Sequence, residues 1–330
     1  VIQYIAEREV DKIFQKYRAK GAVAVVLDVK TGEILALVNR PAYDLNDPSS
    51  YPAEARRDRA VTDYFEPGSV FKIVTASAAL EEGAFTEEDK IFCENGEYRV
   101  ANHILHDVHP YGSLTFRDVI AQSSNIGTTK IAQKIGPSAV YTYAKNFGFG
   151  ATKASGLPGE VGGVLKPVSA WSKTSIGAVP IGQEVCVTAL QLAAAVAAIA
   201  NDGHYMKPYV VQAIVDKRGE IIKEFGPEEV RQVISPEVSK RVRKILTAVV
   251  ETGTGKMAQS KLYRFAGKTG TAQKVEANGT YSHSKFTASF IGFAPADNPE
   301  IAIAVIVDEP RPYYYGGVVS APAFKAIAED

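Results

Sequence analysis

Apolar positions over residues 1–20 recur at helical spacing, with Ile2, Ile5, Ile13, Phe14 and Tyr17 on one side, and predict a helix stopped by Gly21. Ala22 to Val29 and Glu33 to Asn39 then read as two strands joined by the turn Lys30-Thr31-Gly32, a hairpin. Residues 40–65 are rich in Pro, Asp and Arg and read as irregular, and Glu66-Pro67-Gly68 is a turn signal. It opens into an apolar run from Ser69 to Leu80 that predicts a helix. From about 84 to 250 the pattern reads as mostly helical. Thr115 to Gln122 and Gly127 to Ile135 are helices flanking a Ser-Ser-Asn loop, and residues 148–163 form a glycine-rich loop. Thr188 to Ala200 is apolar on nearly every face, the mark of a buried helix. Ser235-Pro236 starts another helix, with a stripe of Val238, Val242, Ile245, Leu246 and Val249.

Past residue 260 the period returns to two. Phe265 to Val275 and Phe286 to Ala294 are strands on either side of the turn signal Asn278-Gly279. Ile301 to Val307 is apolar on both faces and belongs at the centre of a sheet covered on both sides. Residues 317–330 predict a closing helix. The order predicts an α+β fold: a sheet built from both chain ends (about 1–60 and 260–330) with a mostly helical region (about 61–259) inserted between them.

Composition narrows the class without changing this picture. The 330 residues carry 37 basic and 37 acidic side chains, and 46% are hydrophobic, which fits a globular chain with no bulk attraction to nucleic acid or anionic lipid. The longest nearly apolar run, Ala189 to Ala200, falls short of the ~20 residues that span a bilayer. Cys93 and Cys186 are too few for a disulfide framework or a zinc site; two thiols are the expectation, and a single bridge between them is not deducible. The chain starts at Val1, inside a helical pattern, and reads as an excised fragment that leaves open an upstream signal or anchor.

Several chemistries drop out. There is no Gly-x-Ser-x-Gly elbow, and neither Gly267-Lys268-Thr269 nor Gly253-Thr254-Gly255-Lys256 completes a phosphate-binding loop. His103, His106 and His109 lack acidic partners, and Pro110 follows at once; a polar loop is the better reading than a metal site. Ser69 and Lys72 differ in kind. At i and i+3 on a helix they share one face. Serine is a poor nucleophile until a base takes its proton, and a lysine made neutral by burial and a nearby positive charge can do so. At the start of the helix, free N–H groups favour developing negative charge. Ser282-His283-Ser284-Lys285 repeats the spacing but reads as solvated surface beside a hairpin turn, and Lys30-Thr31-Gly32 is a connecting turn.

The ordered set Ser69-x-x-Lys72, Ser123-Ser124-Asn125 and Lys268-Thr269-Gly270-Thr271 resembles the three motifs of the penicillin-binding proteins and serine β-lactamases. Tyr64 to Lys72, Ser123 to Gly127 and Ala266 to Lys274 are similar to class B penicillin-binding proteins, the monofunctional transpeptidases, and the wording around Ser69 and Ser123 is nearer the division and sporulation type than the elongation type. Leu157-Pro158-Gly159-Glu160, Gly182-Gln183 and Tyr315-Gly316-Gly317 to Pro322 extend the resemblance over most of the chain, which would make 1–330 a single transpeptidase domain of the penicillin-binding protein/serine β-lactamase-like fold, with an antiparallel sheet. One departure is Ala189, where class members often have Pro.

The resemblance implies a mechanism. Ser69 would attack the penultimate D-Ala carbonyl of a peptidoglycan stem peptide, and an amine of a neighbouring stem would take the acyl group. Lys72 would activate Ser69, Ser123 would pass the proton to the leaving amine, and Asn125 would hold the substrate amide and Lys72. Lys268 would raise the positive potential, and Thr269 and Thr271 would bind the substrate carboxylate. The backbone N–H groups of Ser69 and Thr271 would form the oxyanion hole, and Gly270 would leave room for substrate against the strand. No cofactor or metal is implied. β-Lactams would acylate Ser69. The family acts at the outer face of the bacterial cytoplasmic membrane beside a membrane glycosyltransferase and division proteins. Rival readings are a serine β-lactamase, with Glu160 as the base for deacylation, a β-lactam sensor, and a D,D-carboxypeptidase. Tyr313-Tyr314-Tyr315 suits either an acceptor groove or a surface loop.

Overall fold

The computed structural model describes residues 1–151 and 155–330. Helix α1 (Ile2–Lys16) precedes strands β1 (Gly21–Asp28) and β2 (Ile34–Arg40), which pair as the predicted hairpin. Helix α1 stops earlier than the pattern suggested. Tyr17 closes it, Arg18 turns at φ 47°, and the backbone N–H of Ala19 donates to the Phe14 carbonyl. Gly21 is therefore the first residue of β1, paired with Asp308, and not the helix stop.

The inserted region holds helices α2 (Lys72–Glu81), α3 (Phe116–Ala121), α4 (Asn125–Ile135), α5 (Pro137–Asn146), α6 (Ala189–Ala200) and α7 (Pro236–Glu251). It also holds strand pairs that the periodicity did not reveal: 90–92 with 113–115, 97–100 with 103–106, 204–206 with 229–232, and 213–215 with 221–224. These strands are three or four residues long, too short for a period-2 signal. The glycine-rich loop at 148–163 includes residues 152–154, which lie outside the described residues.

Strands β3 (Ala266–Val275), β4 (Tyr281–Ala294) and β5 (Ile301–Asp308) complete one antiparallel sheet in the order β3-β4-β5-β1-β2. Helix α8 (Ala321–Glu329) ends the chain. The apolar-on-both-faces strand β5 is central, as its pattern required. Alternate residues divide the sheet between two cores. Ala24, Val26, Ile303, Val305 and Phe290 face α1 and α8, whereas Val23, Val25, Ala304 and Ile306 face the inserted helices. Every residue of α6 is buried, and Thr188 and Gln191 form a reciprocal capping box that starts it cleanly at Ala189. Ser282 departs from the surface reading: it is buried within β4, where its Oγ accepts the N–H groups of Ser284 and Lys285.

Candidate active site

Three segments meet at the edge strand β3. Ser69 lies in a 3-10 turn, Gly68–Phe71, just ahead of α2 and not inside the helix proper, so Lys72 is the first residue of α2. Gly68 takes φ 57°, and its N–H donates to the Gly182 carbonyl at 3.0 Å. A Cβ on Gly68 would stand 3.3 Å from the Thr271 carbonyl oxygen and 3.2 Å from Ala272 Cβ, so the turn that carries Ser69 rests directly on β3. A Cβ on Gly182 would lie 2.1 Å from the Gly68 carbonyl oxygen, and that residue also takes φ 82°. Only glycine fits there.

The second segment is the reversal between α3 and α4. Ser123 carries it at φ 61°, a left-handed conformation uncommon for serine. Ser124 caps α4 by accepting the Gly127 N–H at 2.9 Å. Asn125 is already the first residue of α4, where a loop was expected. The carboxylate of Asp107 receives the Ser124 hydroxyl and the N–H groups of Asn125 and Ile126.

Lys72 and Lys268 are both fully buried, and their amines converge on one hydroxyl. Lys268 Nζ donates to Ser123 Oγ at 2.9 Å and to the Thr269 carbonyl at 3.1 Å. Lys72 Nζ reaches Ser123 Oγ at 3.2 Å, the Ser123 carbonyl at 2.6 Å and Asn125 Oδ1 at 2.8 Å. Three acceptors match the three N–H bonds of an ammonium. Burial pushes Lys72 down to about 7, opposed by the negative charge of Asp107. Burial, reinforced by the charge of Lys72, holds Lys268 well below the ordinary lysine range. Asn125 spends its amide on the His106 carbonyl, at 3.0 Å, and its oxygen on Lys72.

Side chains alternate across β3. Gly270 faces the turn that carries Ser69, and Lys268 reaches Ser123. Between them, Thr269 Oγ1 lies 2.6 Å from Thr254 Oγ1 and Thr271 Oγ1 accepts the Gly316 N–H at 3.0 Å. Gly270 has a packing reason of its own. A Cβ there would meet Ser289 Oγ at 2.3 Å, the Pro67 carbonyl at 2.9 Å and Val70 at 2.9 Å. The missing side chain lets the Ser69 turn pack on the strand.

Ser69, Ser123, Asn125, Thr269 and Thr271 all line one cleft of about 750 Å³. Ser69 is half-buried, and among the described residues its hydroxyl has no hydrogen-bond partner. Its N–H opens the 3-10 turn and has no acceptor within it. Strand β3 is an edge of the sheet, so one row of its backbone groups is not used by another strand.

Sequence reasoning missed Thr254, Asp107, Glu66 and Tyr281. Thr254 belongs to the string set aside as a failed phosphate loop; its hydroxyl instead supports Thr269. Glu66 Oε1 accepts the Glu184 N–H at 2.9 Å and the Tyr281 hydroxyl at 3.2 Å, and burial raises its carboxyl above the usual range. The three tyrosines divide: Tyr315 lines the cleft, Tyr314 stacks on Phe286 with ring centroids 4.0 Å apart, and Tyr313 is exposed. Glu160 accepts the N–H and hydroxyl of Ser155 and the Gly156 N–H within its own loop, away from the cleft lining. Cys93 and Cys186 are free thiols, Cys93 buried and Cys186 only partly so. His103 and His106 are exposed on a strand pair, and among the described residues no group of His, Cys, Asp and Glu could hold a metal ion. Among the described residues no helix is long and apolar enough to cross a membrane.

Comparison with known proteins agrees with this geometry. The family profile described as penicillin binding protein transpeptidase domain matches residues 22–329. The chain is 37% identical, over 99% of its length and 78% of the relative's, to a protein of Neisseria flavescens named probable peptidoglycan D,D-transpeptidase PenA. It is 38% identical to stage V sporulation protein D of Bacillus subtilis, matching over 100% of its own length but spanning only 52% of that relative. Among solved structures, penicillin-binding protein 3 of Mycobacterium tuberculosis in complex with aztreonam superposes with a TM-score of 0.91 at 35% identity, over 99% of this chain and 76% of that one.

Proposed function

This chain belongs to the penicillin-binding protein transpeptidase domain family, and on that premise we propose that it is the catalytic domain of a peptidoglycan D,D-transpeptidase working through an acyl-enzyme on Ser69. The observation that carries the reading is the single hydroxyl of Ser123 held between two fully buried lysines beside Ser69. Lys72, neutral in part near pH 7, takes the Ser69 proton as Oγ attacks the penultimate D-Ala carbonyl. The tetrahedral oxyanion lies toward the N–H groups of Ser69 and Thr271. Its collapse breaks the peptide bond. The proton travels from Lys72 through Ser123 to the leaving D-Ala amine, helped by the Lys268 hydrogen bond to Ser123. The acceptor amine of a second stem then attacks the Ser69 ester, gives up its proton by the reverse route and restores the free hydroxyl. Thr269 and Thr271, braced by Thr254 and Gly316, offer hydroxyls to the substrate carboxylate. β-Lactams acylate the same serine.

A β-lactamase reading would need a base that drives water onto the ester. The candidate, Glu160, is engaged by Ser155 and Gly156 in its own loop, which favours a long-lived acyl-enzyme. We place the domain on the outer face of the cytoplasmic membrane, working in septal or sporulation wall synthesis with a glycosyltransferase and division proteins, on the strength of the family resemblance. The decisive experiment mixes the chain and its Ser69→Ala variant with a fluorescent penicillin and follows labelled protein for hours. A stable label lost in the variant supports the proposal. A label that clears in seconds favours the β-lactamase, and no label from folded protein removes the acyl-transfer reading. Supplying a D-Ala-D-Ala stem peptide with and without an amine acceptor separates transpeptidase from carboxypeptidase.

A further inference from the structure

We propose that Asp107 is a positioning residue for this acyl transfer, holding the Ser123–Asn125 turn from outside and supplying a negative charge that acts on Lys72. The inference rests on the reading of the site given above. Asp107 follows the 103–106 strand, and its own N–H donates to the Gly96 carbonyl at 3.1 Å, which anchors it to the 97–106 strand pair. Its Oδ2 accepts the Ser124 hydroxyl at 2.5 Å. Its Oδ1 accepts the Ile126 N–H at 3.1 Å and the Asn125 N–H. It thus fills the N-terminus of the 11-residue helix α4, where free N–H groups and the helix dipole favour a carboxylate.

What it holds is the unusual part of the site. Ser123 stands at φ 61°, and all three acceptors of the Lys72 amine belong to Ser123 and Asn125. A small displacement of the turn moves those three acceptors, and the hydroxyl shared with Lys268, together. Backbone strain of this kind persists only where the surroundings enforce it. The three hydrogen bonds to Asp107 come from the two residues next to Ser123 and from Ile126.

The second effect is electrostatic. Among the described residues, the charge of Asp107 favours the Lys72 cation, and the charge of Lys72 in turn disfavours a second cation on Lys268 of β3. Ser123 and Asn125 are neutral. Beside Asp107 stand Cys93 and Tyr111, whose protons are held on chiefly by burial and further by Asp107, with Lys130 acting on Cys93 in the opposite sense. Asp107 therefore limits how far burial depresses Lys72.

The test measures acylation rates of the whole chain by a fluorescent penicillin between pH 5.5 and 9, for wild type, Asp107→Asn, Asp107→Glu and Ser124→Ala. Loss of the Asp107 charge shifts the acid limb of the rate profile down by about 0.5 to 1 pH unit, and loss of its charged hydrogen bonds slows acylation on the plateau about tenfold. Asp107→Glu keeps the charge and restores the limb to its wild-type position. Ser124→Ala leaves the charge in place, so it slows the plateau without moving the limb. An Asp107→Asn profile that superimposes on wild type overturns the proposal. Should Asp107→Asn fail to fold, Ser124→Ala carries the test, and an unchanged plateau rate there overturns it. Failure of the wild type itself to label would remove the acyl-transfer reading, an outcome distinct from these.

Discussion

Burying two amines side by side is costly, and the molecule accepts that cost at Lys72 and Lys268, both without solvent exposure. On the proposed function, the return is a base that is neutral in part near physiological pH. Lys72→Ala is expected to slow acylation about 10²–10⁴-fold while the protein still melts cooperatively; normal labelling kinetics in that variant would end its role as base. The direction of the pH dependence follows from the same shift. Lys72 sits at about 7 against an ordinary value of 10.5, so as pH falls through about 7 the amine takes a proton and acylation fades. For stability the sign is fixed too. Between about 7 and 10.5 the folded chain binds fewer protons at Lys72 than the unfolded chain does, so its stability rises with pH across that window. Lys72→Met should therefore be more stable than wild type near pH 7, and that advantage should shrink toward pH 10. Urea titrations at both pH values read this directly, and a gap that widens would contradict the buried-amine account.

At the scale of elements, the site depends on backbones that approach more closely than side chains allow. Gly270→Ala would bring a methyl 2.3 Å from Ser289 Oγ and 2.9 Å from the Pro67 carbonyl. It is expected to cost about 1–3 kcal/mol of stability, as overpacking does, and to depress acylation by shifting the 3-10 turn that carries Ser69. Measuring both on one sample is informative, because destabilisation with full acylation would show that the turn can move without harm. The sequence displayed much of this. Ser69, both lysines, Ser123 and Asn125 stand in short strings whose contexts were readable, and β5 declared its central place by being apolar on both faces. Other features were hidden for physical reasons. Asp107 reaches Ser124 across a turn that follows no period, and Thr254 meets Thr269 through a fold-level contact. The strand pairs of the inserted region are too short to show alternation. The packing of Gly270 against Ser289, Pro67 and Val70 was hidden because the sequence does not say which neighbour presses on a glycine. The first helix ended early because Arg18, not Gly21, took the left-handed turn.

At the scale of the whole molecule, the sheet is the partition on which both cores and the site depend. Phe290 is fully buried on the α8 side, its ring centroid 4.7 Å from that of Phe324. Phe290→Ala should cost about 3–5 kcal/mol, seen as a lower urea midpoint, while the folded fraction still labels with penicillin; a midpoint within error of wild type would mean that the two layers are less coupled than their packing indicates. The pairing of β1 with β5, Gly21 against Asp308, also sets an order in time. A ribosome releases Ser69, Lys72 and Ser123 well before it has made Lys268, and it makes Lys268 before the central strand exists. Contacts this distant in sequence form late and slowly. The newborn chain thus carries Ser69 without the Lys268 amine that meets Ser123, and the cleft is complete only when the last strands arrive to close the sheet.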